Sequence, residues 1–451
     1  MQLDRLALAG SRVPRYTSYP TAAQFDDGVG PADVARWLGE LDPREPASLY
    51  LHVPFCRRLC LYCGCNTAIT ARQAPLDRYV EALLREIDLV ASRIPGRLAI
   101  SHLHFGGGTP TILEPGALGA VMDALRARFE VLPRAEVATE IDPRGLDDAR
   151  IRMLAATGFT RVSLGVQDLD PGVQAAIDRI QPRDLVARAV DRLRAAGLAR
   201  ISMDLIYGLP RQDEGTIARS AEAVAEMGPD RVALFGYAHV PWMKPHQRLL
   251  EPAGLPGASQ RLALCDAATG VLLASGYDAI GIDHFALPGD ELARAAREGT
   301  MRRNFQGYTT DAAAALLGLG ASAIGSFGQG HAQNATRVDA WGAAIAVGSR
   351  PQAGAHHRAP DVPVRGRCRG RPRRGPRARR HPRWARAARG GGSRHPPRRP
   401  RHDPGGGAAL RARRRGALRR LPARRGDAPR RRRVSGGAPV SFRRPARRRR
   451  A

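Results

Sequence analysis

The chain has 451 residues, enough for about two to three domains, and a formal net charge of +30. The charge is confined to one end: residues 355–451 hold 35 Arg and 3 Asp, a net of +32, whereas the first 354 residues hold 37 basic and 39 acidic groups, a net of −2. Those 354 residues read as a near-neutral soluble part, with apolar runs too short to span a bilayer and no secretory leader, which argues against membrane-spanning and disulfide-stapled secreted classes.

In chain order, Pro14-Arg-Tyr-Thr-Ser-Tyr-Pro-Thr21 has no core pattern and reads as an arm or a linker. A first strand is expected at Ser48–Val53. Its C-terminus opens into His52-Val-Pro-Phe-Cys-Arg-Arg-Leu-Cys-Leu-Tyr-Cys-Gly-Cys65, which sets Cys56, Cys60 and Cys63 at spacing C-x3-C-x2-C. Thiolates in a tight loop bind soft metals and iron–sulfur clusters. A structural zinc site usually shows two paired sets of ligands, whereas the remaining cysteines here, Cys265 and Cys368, stand alone. Three close ligands hold three irons of a [4Fe–4S] cluster and leave the fourth open to bind and reduce another molecule. Cys265 lies in an apolar run, Leu262-Ala-Leu-Cys-Asp-Ala, and is expected as a buried small hydrophobe.

A helix at Leu76–Ala91 leads to a second strand at Ile100–Phe105, followed by Gly106-Gly-Gly-Thr-Pro110. Glycines let a backbone approach a ligand closely, although the same run also serves as a plain strand-to-helix turn. Helix Pro115–Arg128 and strand Glu136–Ile141 follow, with Glu140 near the strand end. Strand Arg161–Val166 ends at Gln167, and Arg179 comes shortly after. Helix Asp184–Ala196, strand Arg200–Ile206 with Asp204, helix Asp213–Met227 and strand Arg231–Phe235 complete the series. Taken singly, each Asp or Gln reads as a cap or a surface group. Recurring at successive strand ends, they point to one polar mouth. Six strand–helix units argue for a parallel sheet with helices outside, as an open (β/α)6 partial barrel of α/β class.

Between about Ser349 and His357 the chain changes material. The change is abrupt after Val338-Asp-Ala-Trp-Gly-Ala-Ala-Ile. Residues 355–451 are mostly Arg, Pro, Gly and Ala, with no Lys, Ile or Tyr. Such a segment cannot bury enough apolar surface to offset chain entropy and is expected to be disordered. It reads either as a basic arm for nucleic acid or as a shifted reading frame of a GC-rich gene. The single lysine of the chain, Lys244, fits such a gene, and the frame shift is the reading adopted.

The cysteine loop resembles that of the radical S-adenosylmethionine enzymes. Pro14–Thr21, the C-x3-C-x2-C-x-C-N loop, His102-Leu-His-Phe-Gly-Gly-Gly-Thr-Pro-Thr111, Gly165-Val-Gln-Asp168 and Asp204-Leu-Ile-Tyr-Gly-Leu-Pro210 together resemble the oxygen-independent coproporphyrinogen III oxidase family, and Arg303-Asn-Phe-Gln-Gly-Tyr-Thr309 resembles its substrate region. The resemblance spans about residues 10–340. It implies a radical-SAM core of the partial-barrel type and oxidative decarboxylation of two propionates of coproporphyrinogen III.

For this chain it implies metal ligands Cys56, Cys60 and Cys63. Tyr50, Gly107, Glu140 and Ile324 would meet S-adenosylmethionine on the cluster. Tyr62, Gly108, Thr109, Gln167, Arg179, Asp204 and Ala238 would line the site of a second molecule. Catalytic roles fall to Cys65 and Tyr62, with Cys65 expected to point away from the iron on Cys63 and toward the cavity. The implied partners are the porphyrinogen and a reductant such as flavodoxin or ferredoxin, with no membrane span and no specific nucleic acid, for a cytoplasmic monomer. The expected divisions are an arm at 1–45, the core at 46–280, a substrate-region extension at 281–350, and a tail at 351–451 standing where the family has a helical cover. One rival is a haem-carrying relative without oxidase activity. Those relatives generally lack the fourth cysteine and the Pro-Arg-Tyr-Thr arm, both present here. The other is nucleic-acid binding through the tail.

Overall fold

Each of the six expected apolar runs forms a strand, and the six lie side by side, all parallel. The computed structural model describes residue 25, residues 28–304 and 307–349, and the backbone of 352–355. The arm at 14–21, Phe305 and Gln306, and the tail with Cys368 lie outside the described residues. The chain divides after Gly370, and all the described residues lie in the first unit.

In chain order the elements are α1 (Pro31–Gly39), β1 (Ala47–Val53), α2 (Ala74–Ala91), β2 (Ala99–Gly107), α3 (Pro115–Arg128), β3 (Glu130–Ile141), α4 (Asp148–Ala156), β4 (Arg161–Gln167), α5 (Pro171–Ala176), α6 (Arg183–Ala195), β5 (Arg200–Tyr207), α7 (Glu214–Met227) and β6 (Arg231–Gly236). Then come α8 (Ala258–Ala274), β7 (Asp278–Ile280), β8 (His284–Ala286), α9 (Glu291–Glu298), β9 (Leu316–Leu319), β10 (Ile324–Phe327), β11 (Gly330–Asn334), α10 (Val338–Ala346) and β12 (Gln352–Ala355). Helix boundaries follow local chemistry. Asp213 caps α7 by accepting from the Thr216 N–H at 2.7 Å, and Gly228 ends it in the left-handed region at φ 64°.

The sheet is larger than six strands. Among the described residues it has twelve, in the order β12-β11-β10-β9-β1-β2-β3-β4-β5-β6-β8-β7. A seventh parallel strand, β9, pairs with β1, and short antiparallel strands extend both edges. The edges do not meet, so the barrel is open. The expected boundary at residue 280 falls between two paired strands, β7 and β8, and β9 to β12 continue the same sheet. Cys265 is half-buried on α8 rather than fully buried.

Side chains alternate across each strand. In β5, Ile201, Met203 and Leu205 are buried beneath the helices, while Ser202, Asp204 and Ile206 face the concave side and are half-exposed. Tyr50, His104 and Glu140 repeat this pattern on β1, β2 and β3. A closed (β/α)8 barrel fills its interior with branched apolar side chains. This open sheet leaves a polar hollow.

The segment after β9 is tied to the core by a buried carboxylate. Glu86 on α2 is fully buried and accepts from the Gly320 N–H at 2.6 Å, Asn334 Nδ2 at 2.8 Å and Trp341 Nε1 at 3.3 Å. Two turns earlier on α2, the Tyr79 hydroxyl donates to the His52 carbonyl and accepts from the Ala321 N–H. Gly320, at φ +91°, is required here: a Cβ would lie 2.4 Å from both His52 O and the Tyr79 hydroxyl.

Candidate functional site

The mouth lies at the C-terminal ends of the parallel strands, where sites of barrel-type folds sit. The cysteine loop runs from the end of β1 toward α2 and is braced by a two-residue parallel ladder, Phe55–Cys56 with Ala68–Ile69. Its core turn is closed by the Cys63 N–H donating to Cys60 O at 3.0 Å. Cys60 is buried, Cys56 and Cys63 are half-buried, and Cys65 is exposed.

Three side chains from the stretch after β6 hold the loop by its carbonyls. Lys244 Nζ donates to Cys65 O at 2.7 Å and Gln247 Nε2 to Tyr62 O at 2.9 Å, while His246 Nε2 lies 2.9 Å from Cys63 O. Gln247 is fully buried. The sequence carried one signal for this clamp, the isolated lysine among 71 arginines, and nothing for its partners.

The glycine run seats against the loop from the other side. The Gly108 and Thr109 N–H groups donate to Val53 O and Phe55 O at 2.8 and 2.9 Å. A Cβ on Gly108 would lie 2.6 Å from Phe55 O, so only glycine permits this approach. Thr109 Oγ1 lies 3.5 Å from Cys56 Sγ. The Gly107 N–H donates to Glu140 Oε2 at 3.1 Å.

Glu140 and Asp204 face the hollow with their carboxyls shifted in opposite directions. Burial pushes the Glu140 carboxyl up, but hydrogen bonds from His104 and Gly107 and the nearby imidazoles outweigh it and leave it below the usual range. Burial pushes Asp204 up to about 7, reinforced by the Glu140 charge. Tyr50 stacks on His104 at 5.9 Å and touches His52 Nδ1 at 3.0 Å. Across β1 and β9, Tyr50 is paired with Gly318, on which the backbone of Ile324 packs. Gln167 sits at a register shift with φ 68°, and a Cβ on Gly165 would meet both its amide, at 2.9 Å, and Arg179 Nη2, at 3.2 Å. Such strain clusters at functional sites. Ala238 follows β6 at the same rim.

One expected placement differs. Cys65 does not point away from Cys63: its side chain hydrogen-bonds the Cys63 thiol and pulls that thiol below its usual value. Turn geometry brings alternate residues of a tight loop together, so two-residue spacing does not separate them. Arg179 is buried, with Nη1 lying 3.4 Å from Cys60 Sγ and 3.2 Å from Asp142 Oδ2. Asp142 and Arg144, beyond β3, complete this contact and were not singled out in the sequence. Their role depends on chain segments that only the fold brings together.

The three thiols suit a cluster. Burial pushes Cys56 up to about 11, with Cys60 and Cys63 adding to the effect through their proximity. Among the described residues no three His, Cys, Asp or Glu side chains converge on one ion. A cubane needs no such convergence, since each thiolate takes its own iron. A cavity of about 720 Å3 lies behind the loop, between α2 and α10; it is lined by Phe55, Thr67, Tyr79 and Trp341 and contains none of the expected site residues.

Residues 50–224 match the Radical SAM superfamily. The chain is 48% identical over 339 residues to the oxygen-independent coproporphyrinogen III oxidase of Paracoccus denitrificans, covering 75% of each chain. It is 43% identical to the enzyme of that name from Escherichia coli, over 71% of this chain and 70% of that one. The solved structure of the Escherichia coli coproporphyrinogen III oxidase, described as a radical SAM enzyme, superposes with a TM-score of 0.73 at 40% identity, covering 76% of this chain and 79% of that one.

Proposed function

The chain belongs to the oxygen-independent coproporphyrinogen III oxidase family, and from that premise we propose that it converts coproporphyrinogen III to protoporphyrinogen IX by oxidative decarboxylation of two propionates to vinyl groups. The observation that carries this reading is the meeting of the cysteine loop, the glycine run and Glu140 at the rim of one polar hollow. When bound, the [4Fe–4S] cluster and S-adenosylmethionine supply the electron and the 5′-deoxyadenosyl radical that takes hydrogen from the propionate β-carbon.

The chain's own residues hold and orient. Cys56, Cys60 and Cys63 take the cluster. Glu140, ionised and accepting hydrogen bonds, suits an ammonium group, with Tyr50, Gly107 and Ile324 beside it. Tyr62, Gly108, Thr109, Gln167, Arg179, Asp204 and Ala238 are assigned to a second S-adenosylmethionine, and Cys65 and Tyr62 to the chemistry. Asp204, pushed up to about 7, keeps a protonated fraction at neutral pH and is suited to donate where Glu140 accepts. A low-potential carrier such as flavodoxin or ferredoxin provides electrons to a cytoplasmic monomer. Residues 1–45 are assigned to an arm, 46–280 to the core, 281–350 to the substrate region, and 351–451 to a frame-shifted tail without a specific nucleic-acid site.

The test is anaerobic reconstitution followed by incubation with coproporphyrinogen III, S-adenosylmethionine and a reductant. About four irons per chain are expected, with vinyl products seen by mass spectrometry, and the Cys60→Ala protein should lose both. Stoichiometric zinc without iron would defeat the reading. Bound haem with no product would favour the haem-carrying relative.

A further inference from the structure

We propose that Asp142, Arg144 and Arg179 form a charge-tuning triad for the cluster, acting on Cys60 to favour the one-electron-reduced state. The inference rests on the reading of Cys56, Cys60 and Cys63 as ligands.

The three residues come from two chain segments. Asp142 follows the last residue of β3 and starts a short turn at Pro143–Gly145, where its side chain accepts from the Arg144 N–H at 3.0 Å. The same carboxylate takes Arg144 in a two-pronged grip, with Nε at 2.9 Å and Nη2 at 2.6 Å. It also takes Arg179 Nη1 at 3.2 Å. Planar guanidinium groups held this way are fixed in direction as well as position. Both are aimed at one sulfur: Arg179 Nη1 lies 3.4 Å and Arg144 Nη2 3.6 Å from Cys60 Sγ.

The setting makes the charge count. The Arg179, Asp142 and Arg144 side chains are 6%, 17% and 19% exposed. Two guanidiniums against one carboxylate leave one uncompensated positive charge beside Cys60, the buried thiol of the three. Of the other two thiols, Cys56 meets the neutral Thr109, and Cys63 meets the neutral Cys65 with the Lys244 ammonium near it. Hydrogen bonds to ligand sulfurs and local charge set the potential of such clusters. Reduction adds one negative charge, drawn from a low-potential one-electron carrier, and a buried cation next to a ligand stabilises the product of that step. Removing the cation therefore moves the potential to more negative values.

The experiment compares the anaerobically reconstituted full chain with its Arg144→Met and Arg144→Lys variants in a spectroelectrochemical titration without S-adenosylmethionine. Iron content and circular dichroism are recorded alongside. At a fixed poise, Arg144→Met is expected to lower the reduced-to-oxidised ratio about tenfold, equivalent to about 59 mV for one electron. Its iron content should be unchanged. Arg144→Lys keeps the charge but loses the fork, and should fall between the two. An iron-loaded Arg144→Met protein with the original midpoint overturns the proposal. So does loss of iron in that variant, which would mark the residue as holding the loop rather than tuning the cluster. Failure of the underlying ligand assignment shows differently, as absence of iron in the unaltered chain.

Discussion

Asp204 and Glu140 share one hollow, and the opposite shifts of their carboxyls have a measurable consequence. The folded Asp204 carboxyl titrates at about 7, raised first by burial and then by Glu140, whereas an unfolded Asp titrates near about 4. Between these values the folded protein holds a proton that the unfolded chain releases. This group's contribution to stability is therefore full at acid pH and is lost as pH rises through about 7. The Asp204→Asn chain lacks that slope. Melting temperatures of the metal-free proteins at pH 5 and 8 should differ less for the variant than for its parent, and identical slopes would remove Asp204 as the titrating group. Cys65 offers a second test at this scale. A serine hydroxyl can keep the contact that Cys65 makes with Cys63, so Cys65→Ser should retain its iron and visible spectrum while losing decarboxylation. Iron loss would mean that Cys65 is itself a ligand.

Between elements, the least replaceable contact is that of α2 with the segment after β9. Glu86 gathers the Gly320 N–H, Asn334 and Trp341 in a site that excludes water. A buried donor left without an acceptor costs about 1–3 kcal/mol. Glu86→Ala strands three, so urea unfolding should register a loss of several kcal/mol, with Glu86→Gln closer to the parent. Equal stability of the alanine variant would show that the site rearranges freely. This contact was not legible in the sequence, because one Glu on an amphipathic helix reads as solvated. The six parallel strands were legible, since each is a run such as Ile201-Ser-Met-Asp-Leu-Ile206 with caps and glycines around it. The edge strands were not: Leu316–Leu319 is a short run containing glycine, and β7 and β8 have three residues each. Their identity comes from pairing with distant partners. The candidate site divided the same way. The motif residues Cys56, Gly108 and Glu140 were visible in one dimension, while Asp142, Arg144 and Gln247 gain their roles only by approach in three.

For the whole molecule the open question is the Arg-rich end. The described sheet is complete by Ala355, and the shift in composition begins just after it. If the frame has shifted, a gene restored to the original frame should gain vinyl-product formation, because a run of 35 Arg against 3 Asp repels itself and offers little apolar surface to cover the hollow. Equal turnover by the two proteins would show that no cover is needed. Sequence-selective nucleic-acid binding that vanishes on deleting the tail would favour a true basic arm. Weak, salt-sensitive binding would not, since any polyarginine segment shows it.

The pairing of β1 with β9 also governs how the molecule is made. Ser48 finds its partner Leu316 only after about 270 further residues are synthesised, which at about 5–20 residues per second takes roughly 13 to 54 s. Closing that span costs about 5 kcal/mol of chain entropy before any contact returns it. Throughout that interval one edge of β1, carrying Leu49, Leu51 and Val53, has no strand beside it and is open to pairing with another nascent chain. Yield in the cell is thus set by a race between ribosome and aggregation, and slowing translation downstream of codon 53 should lower it more than slowing translation beyond codon 319.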